Sequence, residues 1–82
     1  MEIVWDEPKR LVNLEKHGLD FADLRFEFFL TGVTMPARDG RSKAVGRLRD
    51  GTIVVIYVTL GSEAISVISM RPARRDERSS LE

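Results

Sequence analysis

At 82 residues, with 43% hydrophobic and 32% charged side chains, the chain has room for a single domain over 1–82, and no apolar run approaches the ~18 residues that span a bilayer. The N-terminal "MEIVWDEPKR" lacks a basic segment followed by an apolar one, and the chain contains no cysteine, which argues against export, disulfides and zinc–thiolate sites and makes the cytoplasm the expected location. Thirteen acids cancel thirteen bases, but residues 1–30 carry four Lys/Arg against seven Asp/Glu and residues 31–82 carry nine against six, so a basic C-terminal half is expected to face phosphates and an acidic N-terminal half to repel them.

"EIVW" reads as a short strand. A helix is expected over residues 7–17: Asp6 caps its free N–H groups, Pro8 sits in the first turn where its missing N–H does no harm, and Gly18 suits a left-handed stop. Leu11 and Leu14 form its expected inward stripe, with Val12 to one side. "DFADLRFEFFLTG" repeats the grammar as a second helix, capped by Asp20, carrying Phe21, Leu24 and Phe28 inward and stopping at Gly32. Four phenylalanines are too many for one stripe; either both sides of this helix are covered or some are exposed for a partner.

From Gly32 onward the pattern is that of strands. "VTMPA" contains Pro36, which restricts it to an edge or a strand end. "SKAVGRLR", "TIVVIYVTL" and "EAISVISM" follow, separated by Asp50–Gly51 and Gly61–Ser62, both two-residue hairpin signals. The expected fold class is α+β: an N-terminal strand and two helices packed on one face of an antiparallel meander, then a short, highly charged and poorly anchored C-terminal helix after Pro72.

Two-residue hairpins imply a register in which Arg49 faces Thr52, which faces Arg71, and Arg47 faces Val54, which faces Ser69. Arg47, Arg49, Ser69 and Arg71 then share one sheet face with Val54, Ile56, Val58 and Val67, and Tyr57 points the other way. Past Pro72, Arg74, Arg75 and Arg78 extend the same basic surface over the sheet edge. Planar, permanently charged guanidiniums suit bidentate phosphate recognition. The plain alternative for Arg74 and Arg78 is pairing with Glu77 or solvation of a frayed helix.

"IVWDEPKRLVNLEKHGLDF", "ARDGR…VGRLRDG" and "SVISMRPARRDER" together resemble the BrnT family of bacterial toxins over nearly the whole chain. The W-D-x-x-K-x-x-x-N-x-x-K-H-G-x-x-F pattern falls on Trp5, Asp6, Lys9, Asn13, Lys16, His17, Gly18 and Phe21. I-S-x-R-x-A-x-R-x-E-R falls on Ile68, Ser69, Arg71, Ala73, Arg75, Glu77 and Arg78. The resemblance implies a RelE-like fold and an endoribonuclease that arrests growth. It also implies a BrnA-like antitoxin joining a ribbon-helix-helix DNA-binding domain to a toxin-blocking segment, so that operator DNA is met through the complex. The family often carries an aromatic residue just past the final Glu-Arg, where this chain has "SSLE".

Metal-free RNA cleavage by a ribose 2′-OH needs a base, an acid and cations for the charge developing on phosphate. Arg47 and Arg71 are the candidates for that charge. His17, the lone histidine, is a candidate base or acid, the alternative being a histidine that merely meets free carbonyls at a helix end. Glu77 is a second candidate base, weakened by flanking guanidiniums. Lys16, Arg49, Ser69, Arg74, Arg75 and Arg78 are the expected RNA contacts. No metal or other cofactor is expected, because a lone histidine and the adjacent Asp76 and Glu77 make no ligand spacing. A non-catalytic nucleic-acid binder and a protein-interaction module remain alternatives, the first disfavoured because neither Trp5 nor Tyr57 falls on the arginine face.

Overall fold

Glycine and aspartate punctuate the first third of the chain much as their chemistry dictates. The computed structural model, which describes residues 1–49 and 51–81, begins with strand β1 (Glu2–Trp5) and helix α1 (Glu7–His17). Asp6 is the N-cap residue but makes no side-chain cap bond, and Gly18 takes the left-handed conformation at φ 69° and donates its N–H to the Leu14 carbonyl at 2.8 Å. The inward stripe differs from expectation: Leu11 and Val12 are exposed, and the buried residue of α1 is Asn13. Arg10 and His17, three and four positions from Asn13, are half-buried on its side, and Leu14 beside it is half-buried too.

The expected second helix is two pieces. Asp20 accepts a bond from the Ala22 N–H and closes a single 3₁₀ turn at Phe21–Asp23; the chain is then extended through Leu24 and Arg25 before helix α2 (Phe26–Thr31). Across the break Phe28 and Phe29 of α2 reach the core alongside Phe21 and Leu24, and Phe26 stays partly exposed. Gly32 ends α2 in extended backbone rather than a left-handed stop. It is needed for space, since a Cβ there would sit 2.6 Å from the Val45 carbonyl oxygen.

Strands β2 (Val33–Pro36), β3 (Ser42–Leu48), β4 (Gly51–Leu60) and β5 (Ala64–Pro72) form an antiparallel meander, and β1 adds to β5 in parallel, giving a mixed sheet of order β1-β5-β4-β3-β2. Pro36 lies on an edge strand, as it must. The first hairpin pairs Leu48 with Gly51, and Arg49 carries a positive φ of 58°. The Asp50 half of the expected Asp50–Gly51 turn lies outside the described residues. The second hairpin turns over three residues, Gly61 to Glu63, and a bulge opposite Ile56/Tyr57 follows in β5.

These details move both registers by two. Arg47 faces Thr52 rather than Val54, and Arg71 faces Val54 rather than Thr52. Because side chains alternate, an even displacement preserves the face, so Arg47, Ser69 and Arg71 still share one. In the second hairpin the longer loop and the bulge contribute one position each. Between loop and bulge the parity is therefore reversed, and Val67 packs with Tyr57 on the helix side, contrary to the simple count.

The main core lies between the sheet and the first two helices, with Phe21, Phe28, Phe29, Val55, Tyr57, Val67 and Met70 at its centre. A smaller core of Val45, Val54 and Ala73, joined by Met35, Ile56 and Leu81, lies on the opposite face, where helix α3 (Arg75–Ser79) folds back onto the sheet. The C-terminal helix is thus anchored rather than overhanging. Strand β4, apolar on both sides, is covered on both, as such a strand requires.

Candidate active site

Strand β1 stops at Trp5, opposite Val67, and the chain departs into α1. Past that point α1, not another strand, flanks the outer edge of β5, and a cleft of about 570 Å³ opens between them. Lys9, Lys16 and His17 line it from α1; Ser69 and Arg71 line it from β5, with Pro8, Val12 and Ile68 as apolar walls. His17 reaches the cleft because Gly18 closes the end of α1, leaving the imidazole free of capping duty. Four expected site residues, Lys16, His17, Ser69 and Arg71, therefore meet in one place.

A carboxylate behind the cleft fixes Arg71. Its Nη1 donates to Glu77 Oε1 and its Nη2 to Glu77 Oε2, both at 2.7 Å, and Nη1 also donates to the Pro72 carbonyl at 3.3 Å. Nη2 is the terminal nitrogen trans to Cδ, so its second N–H runs parallel to Nε–H; among the described residues these two remain for a ligand, a side-on fork matched to a phosphate. Glu77, 5% exposed, also accepts from the Arg74 N–H at 2.9 Å and from Lys43 Nζ at 3.1 Å. Each of its oxygens thus takes two donors. The Arg71 hydrogen bonds, followed by those from Arg74 and Lys43, outweigh burial and hold this carboxyl well below the usual carboxylate range. Such a group is an anchor for Arg71 and a poor acceptor for a substrate proton.

The remaining expected residues lie elsewhere. Arg47 is exposed on the same face as Arg71 but lines a separate small pocket with Thr31 and Leu81, across the second core. Arg49 leaves that face altogether: the hairpin turn directs it to Asp23, 3.1 Å away on the helix side. Arg74, Arg75 and Arg78 are exposed on and around α3 and do not line the cleft; Arg78 donates to the Ala73 carbonyl at 3.0 Å. Nor do the basic and acidic halves of the chain segregate, since Lys9, Lys16 and His17 come from the acidic half. There Arg10 offsets Glu7 at 2.7 Å and Asp20 at 3.1 Å.

The hairpin count missed Lys9, Asn13 and Lys43. Lys9, Asn13 and His17 recur every four residues and so share a helical face, and Lys43 alternates with Val45 and Arg47 along β3; both signals are readable in the sequence.

The crystal structure of the Brucella abortus ribonuclease toxin, BrnT, is similar to this chain with a TM-score of 0.86 and 54% sequence identity, covering 92% of this chain and 99% of that one. No curated protein matches it. Residues 5–77 match the family described as "Ribonuclease toxin, BrnT, of type II toxin-antitoxin system". With that match spanning Trp5 to Glu77, and with the α1–β5 cleft assembled from its two ends, the chain belongs to the BrnT family of type II toxin–antitoxin systems.

Proposed function

We propose that this chain is a toxin that cuts RNA in the α1–β5 cleft, without a metal ion, by attack of a ribose 2′-OH on the neighbouring phosphorus. The O2′–P bond forms as the P–O5′ bond breaks, leaving a 2′,3′-cyclic phosphate and a 5′-OH. His17 takes the 2′-OH proton, and the leaving oxygen regains a proton from the same imidazole or from water. The free fork of Arg71, helped by Lys16, holds the non-bridging oxygens as negative charge builds on them. Glu77 keeps Arg71 in place. Arg47 contacts a phosphate of the same strand beyond the cleft, and the arginines around α3 add sequence-independent attraction.

One observation carries this reading: an imidazole, an ammonium and a half-buried guanidinium from distant parts of the chain line a single cleft. The metal-free route is supported by the residues that line the cleft, where an imidazole, two ammoniums and a guanidinium can themselves supply proton transfer and charge stabilisation. A BrnA-like antitoxin with a ribbon-helix-helix domain is the proposed partner, meeting operator DNA on behalf of the pair. The test is incubation of the purified protein with a defined RNA in excess chelator, followed by end-group analysis. Fragments with cyclic-phosphate and 5′-hydroxyl ends are expected; intact RNA, or cleavage that needs added divalent metal, would overturn the mechanism.

A further inference from the structure

Midway between Lys9 and His17, one helical turn from each, α1 presents an asparagine to the sheet. Asn13 is 7% exposed, and both ends of its amide are used: Nδ2 donates to the Leu19 carbonyl at 3.1 Å, and Oδ1 accepts the Met70 N–H at 3.0 Å. Met70 lies between Ser69 and Arg71, the two polar residues that β5 contributes to the cleft. Leu19 follows Gly18, the stop that ends α1 just after His17. One side chain therefore holds the strand carrying the phosphate grip and the turn that fixes the imidazole.

The topology explains why an amide is needed at this place. Strand β1 pairs with β5 as far as Val67 and then leaves, so farther along β5 a backbone N–H directed outward has no strand to receive it. An apolar residue at position 13 fills the space and leaves the Met70 N–H buried without an acceptor. Asparagine fills it and accepts that proton while returning a donor to Leu19.

We propose that Asn13 is a positioning residue: through the Met70 amide and the Leu19 carbonyl it sets the separation between His17 and Lys16 on α1 and Ser69 and Arg71 on β5. This rests on the ribonuclease reading of the cleft. Reacting groups must be held to a fraction of an ångström, and a displacement of about 1 Å costs roughly 100-fold in rate. Asn13 borders the cleft, but both ends of its amide are bonded to the protein, and it acts on the chemistry through that spacing.

The test compares the full-length protein with Asn13→Ala and Asn13→Asp, at a temperature where circular dichroism shows all three folded. Asn13→Asp keeps an acceptor for the Met70 N–H and loses the donor to Leu19. Single-turnover cleavage of a defined RNA is read beside the affinity for the same RNA made uncleavable by a 2′-deoxy sugar at the scissile position. For Asn13→Ala the rate at saturating protein is expected to fall about 10- to 100-fold with affinity within about threefold, and Asn13→Asp to recover most of that loss. A folded Asn13→Ala protein that cleaves at the wild-type rate overturns the proposal. So does a parallel loss of rate and affinity in both variants, which marks a fold-wide role. Wild-type protein that leaves the RNA intact overturns the ribonuclease reading and this proposal with it, and it is distinguished by being scored first.

Discussion

Arg71 and Glu77 divide five guanidinium donors and two carboxylate oxygens so that one fork is committed to the protein and one is left outward. Arg71→Lys removes that outward fork while retaining a charge for Glu77. Cleavage is expected to fall at least about 100-fold with the melting temperature lowered by only a few degrees, measured by single-turnover kinetics beside thermal denaturation. Arg71→Ala is less clean, because it strips the main partner from a carboxylate that is 5% exposed and costs about 1–3 kcal/mol of stability. His17→Gln is expected to lower the rate about 100- to 10,000-fold and to abolish the limb of the pH–rate profile that reports the base; an unchanged limb assigns the proton transfer elsewhere. Glu77 has its own pH signature. Its carboxyl is held below its ordinary value of 4.5 in the folded protein, so its contribution to stability is fully present above that pH and is lost as pH falls below it. Acid unfolding followed by circular dichroism should show this slope in the wild type and a flatter one in Glu77→Gln. Arg71, His17 and Glu77 were legible as residues, by charge, titration range and motif. The bond from Glu77 to Arg71 was not, because six residues along the chain give no sign that α3 doubles back onto the sheet.

At the scale of elements, local rules specified more than long-range ones. The end of α1 at Gly18, the Asp20 cap, the edge position of Pro36 and the end of β5 at Pro72 all follow from capping and from what proline cannot donate. Errors arose where packing overrode periodicity. Leu11 belongs to the expected stripe yet faces solvent, since the Met70 N–H bonded to Asn13 sets the rotation of α1. The second helix breaks at Leu24 and Arg25, which are extended, although the apolar residues on either side keep a helical spacing. Phe28 also depends on Gly46 of β3, where an added Cβ would come within 2.7 Å of its ring. Gly46→Ala is therefore expected to destabilise the protein by about 1–3 kcal/mol, visible as a lower urea midpoint with unchanged slope. An unaltered midpoint means the ring shifts aside freely.

For the whole molecule, a formal net charge of zero conceals a cleft in which Lys9, Lys16 and Arg71 converge. Affinity for single-stranded RNA is expected to fall with salt at a slope of about −2 in log–log form, from three phosphate contacts at about 0.7 each. Fluorescence titrations between about 50 and 200 mM salt read that slope directly; a flat response argues against a phosphate grip. In cells, expression alone should arrest growth and co-expression with the antitoxin should restore it, and unimpaired growth at high soluble expression counts against toxicity. Composition, caps and alternation by themselves determined the α+β class, most of its elements and the shared face of Arg47 and Arg71, because helical and strand periods are local properties and an even register displacement leaves faces unchanged. Tertiary structure alone decided that α1 flanks β5 where β1 ends, that Arg49 turns away to Asp23, and that Glu77 restrains Arg71. Those outcomes depend on the backbone of the first hairpin, on α3 folding back onto the sheet and on the satisfaction of one strand-edge amide, none of which has a period that a sequence can display.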